Sequence, residues 1–158
     1  MAYIKGELQD KDYRIGIVVS RWNQDITSAL ERGSRRALIA FGCSDDRIDT
    51  IEVPGAFEIP VVLDALARSG KYHALIALGC VIKGDTTHFE HVSDAAMRGI
   101  YEVAMKHALP VGCGVLTTYT ADQASARAQD DDENKGSEAA LAILETLSVL
   151  HSVKDQIR

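Results

Sequence analysis

Short, nearly continuous apolar runs alternate with stretches of helical periodicity along almost the whole chain, and this alternation limits the fold more than any other feature. Ile15-Gly16-Ile17-Val18-Val19 is β-branched and apolar on both alternating faces, as a strand covered on both sides must be. Asp25 to Phe41 follows with helical spacing at Ile26, Leu30, Ala37, Leu38 and Phe41, and Gly42 stops it. A second strand over Ile48 to Val53 is closed by Pro54-Gly55. A second helix runs from Phe57 to Arg68, with Pro60 in its first turn and Gly70 at its end. Ala74 to Leu78 is a third strand, and Cys80 to Thr87 reads as the loop after it. His88 to His107 is a long helix and Val111 to Thr117 a fourth strand. Helical stretches over Ala121 to Gln129 and Gly136 to His151 flank the acidic run Asp130-Asp131-Asp132-Glu133. Strands alternating with helices make βαβ units, hence a parallel sheet with right-handed crossovers and helices on both faces.

Composition narrows the function. At 158 residues the chain suits one domain, taken as 1–158, with residues 1–13 as an N-terminal arm. Tyr3-Ile4 in that arm suits an edge strand or a segment pairing with another subunit. The 17 Lys and Arg against 23 Asp and Glu give a net charge of −6. That balance argues against a nucleic-acid partner, which needs a basic face, and against a polybasic membrane anchor. Cys43, Cys80 and Cys113 are odd in number and widely spaced, so neither a disulfide framework nor a structural zinc site is expected. Met1 to Gly6 contains no apolar h-region, and no apolar run approaches a membrane span, so a cytoplasmic protein is expected.

The expected architecture is a three-layer, flavodoxin-like α/β fold around a four-stranded parallel sheet. Ligands of such sheets bind beyond the carboxyl ends of the strands. Ser20-Arg21-Trp22-Asn23, Pro54 to Glu58, Cys80 to His88 and Thr117 to Thr120 meet there. This rim collects the only Trp, a Phe, carboxylates, a Lys, a His and hydroxyls, which suits a flat polar heterocycle plus an anion. Arg21-Trp22-Asn23-Gln24-Asp25 is not a flavodoxin phosphate loop. Cys80 and Ser20 stand where a receiver domain needs carboxylates, and no P-loop is present.

Three segments carry a more specific likeness. They are Val53-Pro54-Gly55-Ala56-Phe57-Glu58-Ile59-Pro60, then Gly79 to Val92 with its Lys83-Gly84-Asp85-Thr86-Thr87-His88-Phe89-Glu90-His91 core, then Gly114 to Thr118 followed by Arg127 and Asn134-Lys135-Gly136. With Arg21-Trp22-Asn23 added, the chain closely resembles the lumazine synthase family from about Gly6 to about Leu150. The resemblance implies condensation of 5-amino-6-(D-ribitylamino)uracil with 3,4-dihydroxy-2-butanone 4-phosphate to 6,7-dimethyl-8-ribityllumazine, releasing phosphate and water. This is the penultimate step of riboflavin biosynthesis. It implies no metal and no organic cofactor, because the pyrimidine amine is itself the nucleophile. A flavin- or lumazine-binding shell or storage protein with little turnover is the alternative.

By the same resemblance, His88 is the acid–base residue, and an imidazole near pKa ~6.5 suits that work. Trp22 matches the ring-stacking aromatic. Asn23, Ala56, Phe57, Glu58, Cys80, Val81 and Ile82 match the pyrimidine and ribityl side. Cys113 stands where the neighbouring subunit commonly supplies a Phe. Asp85, Thr86, Arg127 and Lys135 match the phosphate side. The resemblance also implies a homopentamer, leaves a larger shell open, and makes riboflavin synthase a candidate partner. Shell-formers often carry a Gly- and Lys-containing turn between the last two helices, and here Ala128 to Asn134 is acidic instead. Read without the resemblance, the same residues have plainer uses. His88 and Glu58 suit first-turn positions, Arg127 a solvated helix charge, Lys135 an offset to the acidic run, and Trp22 and Phe57 the core. His91, three residues after His88, makes a metal pair conceivable, but other ligands at suitable spacing are missing.

Overall fold

The computed structural model describes residues 3–9 and 12–157. Four parallel strands, β1 (Ile15–Ser20), β2 (Ile48–Val53), β3 (Ala74–Ile82) and β4 (Val111–Thr118), form one sheet in the order β2-β1-β3-β4. Among the described residues five α-helices accompany them: α1 (Gln24–Ala40), α2 (Ile59–Arg68), α3 (His88–His107), α4 (Ala121–Ala126) and α5 (Lys135–Ile157). This is the expected three-layer flavodoxin-like arrangement.

Side-chain alternation sorts the two layers. Ile15, Ile17 and Val19 of β1, with Ile76, Leu78 and Cys80 of β3, pack with Leu30 and Leu38 of α1 and Ile143 and Leu144 of α5. Val18, Leu75 and Ala77 point the other way, towards Ile59 and Leu63 of α2 and Ala96 and Ile100 of α3. The inner strands β1 and β3 are apolar on both faces because helices cover both. Gly42 and Gly70 follow α1 and α2 with positive φ, the left-handed geometry that lets a chain leave a helix without a Cβ clash.

Several boundaries differ from expectation. β3 does not stop at Leu78 but runs on through Cys80, Val81 and Ile82, which pair with Leu116, Thr117 and Thr118. Ladder bonds to β4 thus override the loop signal. Ala56–Glu58 is a 3₁₀ turn, so Phe57 precedes α2. α4 ends at Ala126 instead of Gln129, because the backbone must turn for Lys135 N–H to donate to Arg127 O, 2.9 Å. α5 continues past His151 to Ile157. Tyr3 and Ile4 form no strand; further along, Gly6 lies against Glu145 of α5, and Glu7 N–H donates to Ser148 Oγ, 3.0 Å.

Two polar ties fix the frame. At the end of the sheet away from the strand carboxyl ends, Arg14 Nε and Nη2 each approach the Asp49 carboxylate at 3.0 Å, and Tyr72 OH donates to it at 2.9 Å. Desolvation works against that carboxylate, but hydrogen bonds from Tyr72, Lys71 and Arg14 outweigh it and hold its pKa below the ordinary value. The second tie joins α1 to the start of α5. Asn134, 1% exposed, accepts from Gly136 N–H (2.9 Å) and Ser137 N–H (3.1 Å), capping α5. Its Nδ2 donates to Gln129 O (2.9 Å) and Ala29 O (3.3 Å). Gly136 allows this approach, since a Cβ there would lie 2.0 Å from Leu30 O.

Candidate functional site

Beyond the carboxyl ends of β1, β2 and β3 lies a cavity of about 600 Å³ with mainly apolar walls. Its walls come from Trp22 and Asn23 after β1, Pro54 to Glu58 after β2, Cys80 to Ile82 at the end of β3, and Gly84, Thr86 and His88 beyond it. This is where open parallel sheets place ligands.

Each wall is set by local backbone chemistry. Asn23 adopts φ 59, ψ 51, a left-handed conformation that Asn tolerates, and turns the chain sharply from β1 into α1. Its Nδ2 donates to Cys80 O at 2.9 Å, tying the ends of β1 and β3 together beneath the cavity. The turn throws Trp22 outward, where it is 72% exposed while lining the cavity. A Trp filling core space is thereby excluded. Phe57 is likewise outside the core, 63% exposed on the cavity wall. Ala56 is buried under the wall. Glu58 lines the cavity with one oxygen committed, because Gly55 N–H donates to its Oε2 at 2.9 Å. A carboxylate held this way keeps its other oxygen for a ligand hydroxyl.

Cys80 is buried and burial pushes its thiol up to about 11, so it is protonated at neutral pH. It offers a wall and a backbone, not a nucleophile. Val81 and Ile82 continue that wall as half-buried strand residues. His88 opens α3, exposed to the cavity. Thr86 sits two residues earlier on the same wall, with its Oγ1 3.4 Å from His88 N. Phe89, His91 and Val92 also line the cavity, as residues of the first turn of α3 beside His88. They belong to the Gly79 to Val92 segment, and helical phase from His88 places His91 and Val92 on its side of α3. Among the described residues no group of three or more His, Cys, Asp or Glu side chains is placed to hold a metal ion.

Four expected site residues stand outside this cavity. Asp85 lies on the rim loop, exposed, but not on the wall. Cys113 is on β4 with its Sγ 3.6 Å from Met97 Sδ of α3, exposed on the flank of the subunit. Arg127 and Lys135 lie together after α4 and at the start of α5. Arg127 Nη1 donates to Gln123 O at 3.0 Å, and Lys135 Nζ pairs with Glu138 at 2.7 Å. One chain therefore presents an aromatic and imidazole cavity in one place and a cation pair in another.

Comparison with known proteins gives one answer. The family model for 6,7-dimethyl-8-ribityllumazine synthase matches residues 12–151. A 6,7-dimethyl-8-ribityllumazine synthase of Xylella fastidiosa (strain 9a5c) is 46% identical over 153 residues, covering 97% of this chain and 99% of its own. One from Xanthomonas oryzae pv. oryzae (strain PXO99A) is 45% identical over 150 residues, covering 95% and 97%. One from Xanthomonas axonopodis pv. citri (strain 306) is 44% identical over 150 residues, with the same coverage.

Proposed function

Because this chain belongs to the 6,7-dimethyl-8-ribityllumazine synthase family, we propose that its cavity is the pyrimidine half of an active site completed by a second subunit. The enzyme is a transferase of riboflavin biosynthesis. It condenses 5-amino-6-(D-ribitylamino)uracil with 3,4-dihydroxy-2-butanone 4-phosphate, releasing phosphate, water and 6,7-dimethyl-8-ribityllumazine. The observation that carries the site assignment is the placement of exposed Trp22 and His88 on one cavity wall system, with polar backbone between them.

In this reading the heterocycle stacks on Trp22, with Phe57 beside it, and takes hydrogen bonds from the backbone of Cys80 to Ile82. The ribityl chain meets Asn23, Ala56 and the free oxygen of Glu58. The amine of the pyrimidine attacks the ketone carbonyl, and loss of water leaves an imine. His88 moves the protons of that step and of the elimination of phosphate, after which the ribitylamino nitrogen closes the ring on the second carbonyl carbon with loss of another water. Thr86, with the Asp85 backbone, faces the phosphate. Positioning two substrates in one geometry supplies much of the remaining rate.

Arg127, Lys135 and Cys113 serve the cavity of a neighbour. A guanidinium offers the bidentate geometry a phosphate prefers, and Lys135 adds a point charge. A cyclic homopentamer gives every cavity such a neighbour. In this reading the N-terminal arm (residues 1–13) pairs with a neighbouring subunit, with Tyr3 and Ile4 as the pairing segment; its residues 1, 2, 10 and 11 lie outside the described part. Closure into a shell and docking of riboflavin synthase remain further steps of this reading. Among the described residues no helix is long and apolar enough to cross a membrane.

Mixing both substrates with the protein and following lumazine absorbance and phosphate release tests the activity. Turnover stoichiometric in phosphate and lumazine supports the reading. Tight riboflavin binding without turnover points instead to storage, which no observation here favours.

A further inference from the structure

The loop that carries Thr86 and delivers His88 is weakly held from within. Gly84 to Thr87 are all exposed, and a Cβ added at Gly84 would touch nothing within 4 Å. The local bonds at its far end are long: His88 N–H to Thr86 Oγ1 at 3.4 Å and His91 N–H to Thr87 O at 3.3 Å. Such a loop keeps one geometry only if its two ends are fixed.

Lys83 and Glu90, the residues bracketing it, are joined directly. Lys83 Nζ donates to Glu90 Oε1 at 2.6 Å, so the end of β3 is pinned to the first turn of α3 across the loop. The Lys83 backbone is itself anchored, its N–H donating to Thr118 O of β4 at 2.9 Å. Two rings shelter the ammonium, Phe89 of α3 and Tyr119 after β4, each centroid 5.7 Å from Nζ. The Glu90 carboxylate is held below its ordinary pKa, first by the Lys83 hydrogen bond, so the pair is charged at neutral pH. The Glu90 backbone N–H also favours the charged carboxylate, so the half-exposed Glu90 is fixed from its own helix as well as from Lys83.

We propose that Lys83 and Glu90 are positioning residues, a clasp that holds the 84–87 loop and the start of α3 in the geometry the phosphate-bearing substrate needs. The proposal rests on the reading of this loop as the phosphate side of the site. Neither side chain lines the cavity, so both act through Thr86 and His88 and not on substrate.

Lys83→Met and Glu90→Gln remove the charge pair while keeping size. Both should raise KM for 3,4-dihydroxy-2-butanone 4-phosphate about three- to tenfold and lower kcat, since a misplaced wall costs transition-state contacts. Affinity for a pyrimidinedione analogue, read from Trp22 emission, should stay within about twofold, because that half of the site is held by Asn23 and β3. Amide exchange at His88 and His91, whose N–H groups are bonded to Thr86 Oγ1 and Thr87 O, should quicken. Lys83→Arg should restore both KM and exchange, and the swap Lys83→Glu with Glu90→Lys should restore them in part. Unchanged exchange, or analogue affinity falling in step with KM, overturns the clasp. Thr86→Ala tests the reading beneath it: if that variant leaves KM unaltered, the phosphate lies elsewhere and the loop assignment fails, whatever exchange in Lys83→Met shows.

Discussion

Lys135 N–H donates to the Arg127 carbonyl at 2.9 Å, so the two expected phosphate cations are paired by backbone, away from the cavity that holds His88. Their side chains are occupied locally, Arg127 on Gln123 O and Lys135 on Glu138. On the proposed reading, a phosphate in a site shared between subunits would compete only with one neutral carbonyl and one exposed carboxylate. Exchange of such partners for a dianion is favourable.

The separation predicts complementation. Arg127→Ala should raise KM for the butanone phosphate at least about tenfold, the worth of a charge-assisted hydrogen bond. His88→Ala should lower kcat by about 10²–10⁴ with binding nearly intact. Each is poor alone. Co-assembled in equal amounts, they should regain activity, because about a quarter of the sites in a cyclic oligomer would join an intact cavity to an intact cation pair. No recovery in verified mixed oligomers would place both residues in one subunit's site.

Asn134 holds the cation pair in place, so its loss should be felt twice. Asn134→Ala leaves the buried N–H groups of Gly136 and Ser137 without their acceptor and removes a donor from the part-buried carbonyls of Ala29 and Gln129. A loss of at least about 2 kcal/mol of stability follows. The thermal midpoint at fixed protein concentration should fall, and KM for the phosphate substrate should rise while Trp22 quenching by the pyrimidine analogue persists. An unchanged midpoint would show that the turn is held by other contacts.

The sequence was most readable where local patterns and tertiary pairing agree. Each expected strand and helix is present, and Ile48–Val53 and His88–His107 have the expected bounds. It misled where a partner strand decides: Cys80 to Ile82 look like loop beside Gly79 and Gly84, yet β4 supplies ladder bonds to them. The cavity wall was legible through Trp22, Ala56 to Glu58, Cys80 to Ile82, Thr86 and His88, because strand ends can be located from apolar runs. The position of Arg127 and Lys135 off the cavity wall was not, since a sequence motif carries no record of where the chain places its members in space. The plainer uses divide: Trp22 is not in the core, whereas Glu58 does serve its own turn through Gly55.

Asp64 predicts an acid sensitivity outside the site. It receives His107 Nε2 at 2.8 Å and Lys106 Nζ at 3.0 Å, tying α2 to α3, and its pKa is lowered to about 2, first by the His107 hydrogen bond. Its folded pKa lies below the unfolded value near ~3.9, so its stabilisation is whole above that value and is lost as pH falls towards about 2. Asp64→Asn should lower the thermal midpoint at neutral pH and make its decline flatter below pH ~4. Parallel curves for the two proteins would remove the carboxylate from the acid response.

Trp22 is the chain's only tryptophan, so all indole emission reports from one exposed position on the cavity wall. Stacking of a pyrimidinedione, lumazine or riboflavin on that indole should quench its emission to saturation, with a midpoint equal to the inhibition constant of the same ligand. Trp22→Phe should abolish the signal yet keep most of the affinity, since a ring face remains; Trp22→Ala should lose about 0.5–1.5 kcal/mol from the lost stacking, and further affinity with the lost contact area. Phe57 provides the competing outcome, being 63% exposed on the same wall. If a filled site, shown by inhibition, leaves the emission unchanged, and Phe57→Ala rather than Trp22→Ala weakens binding, then the heterocycle lies against Phe57. Trp22 would in that case border the opening instead of the ring.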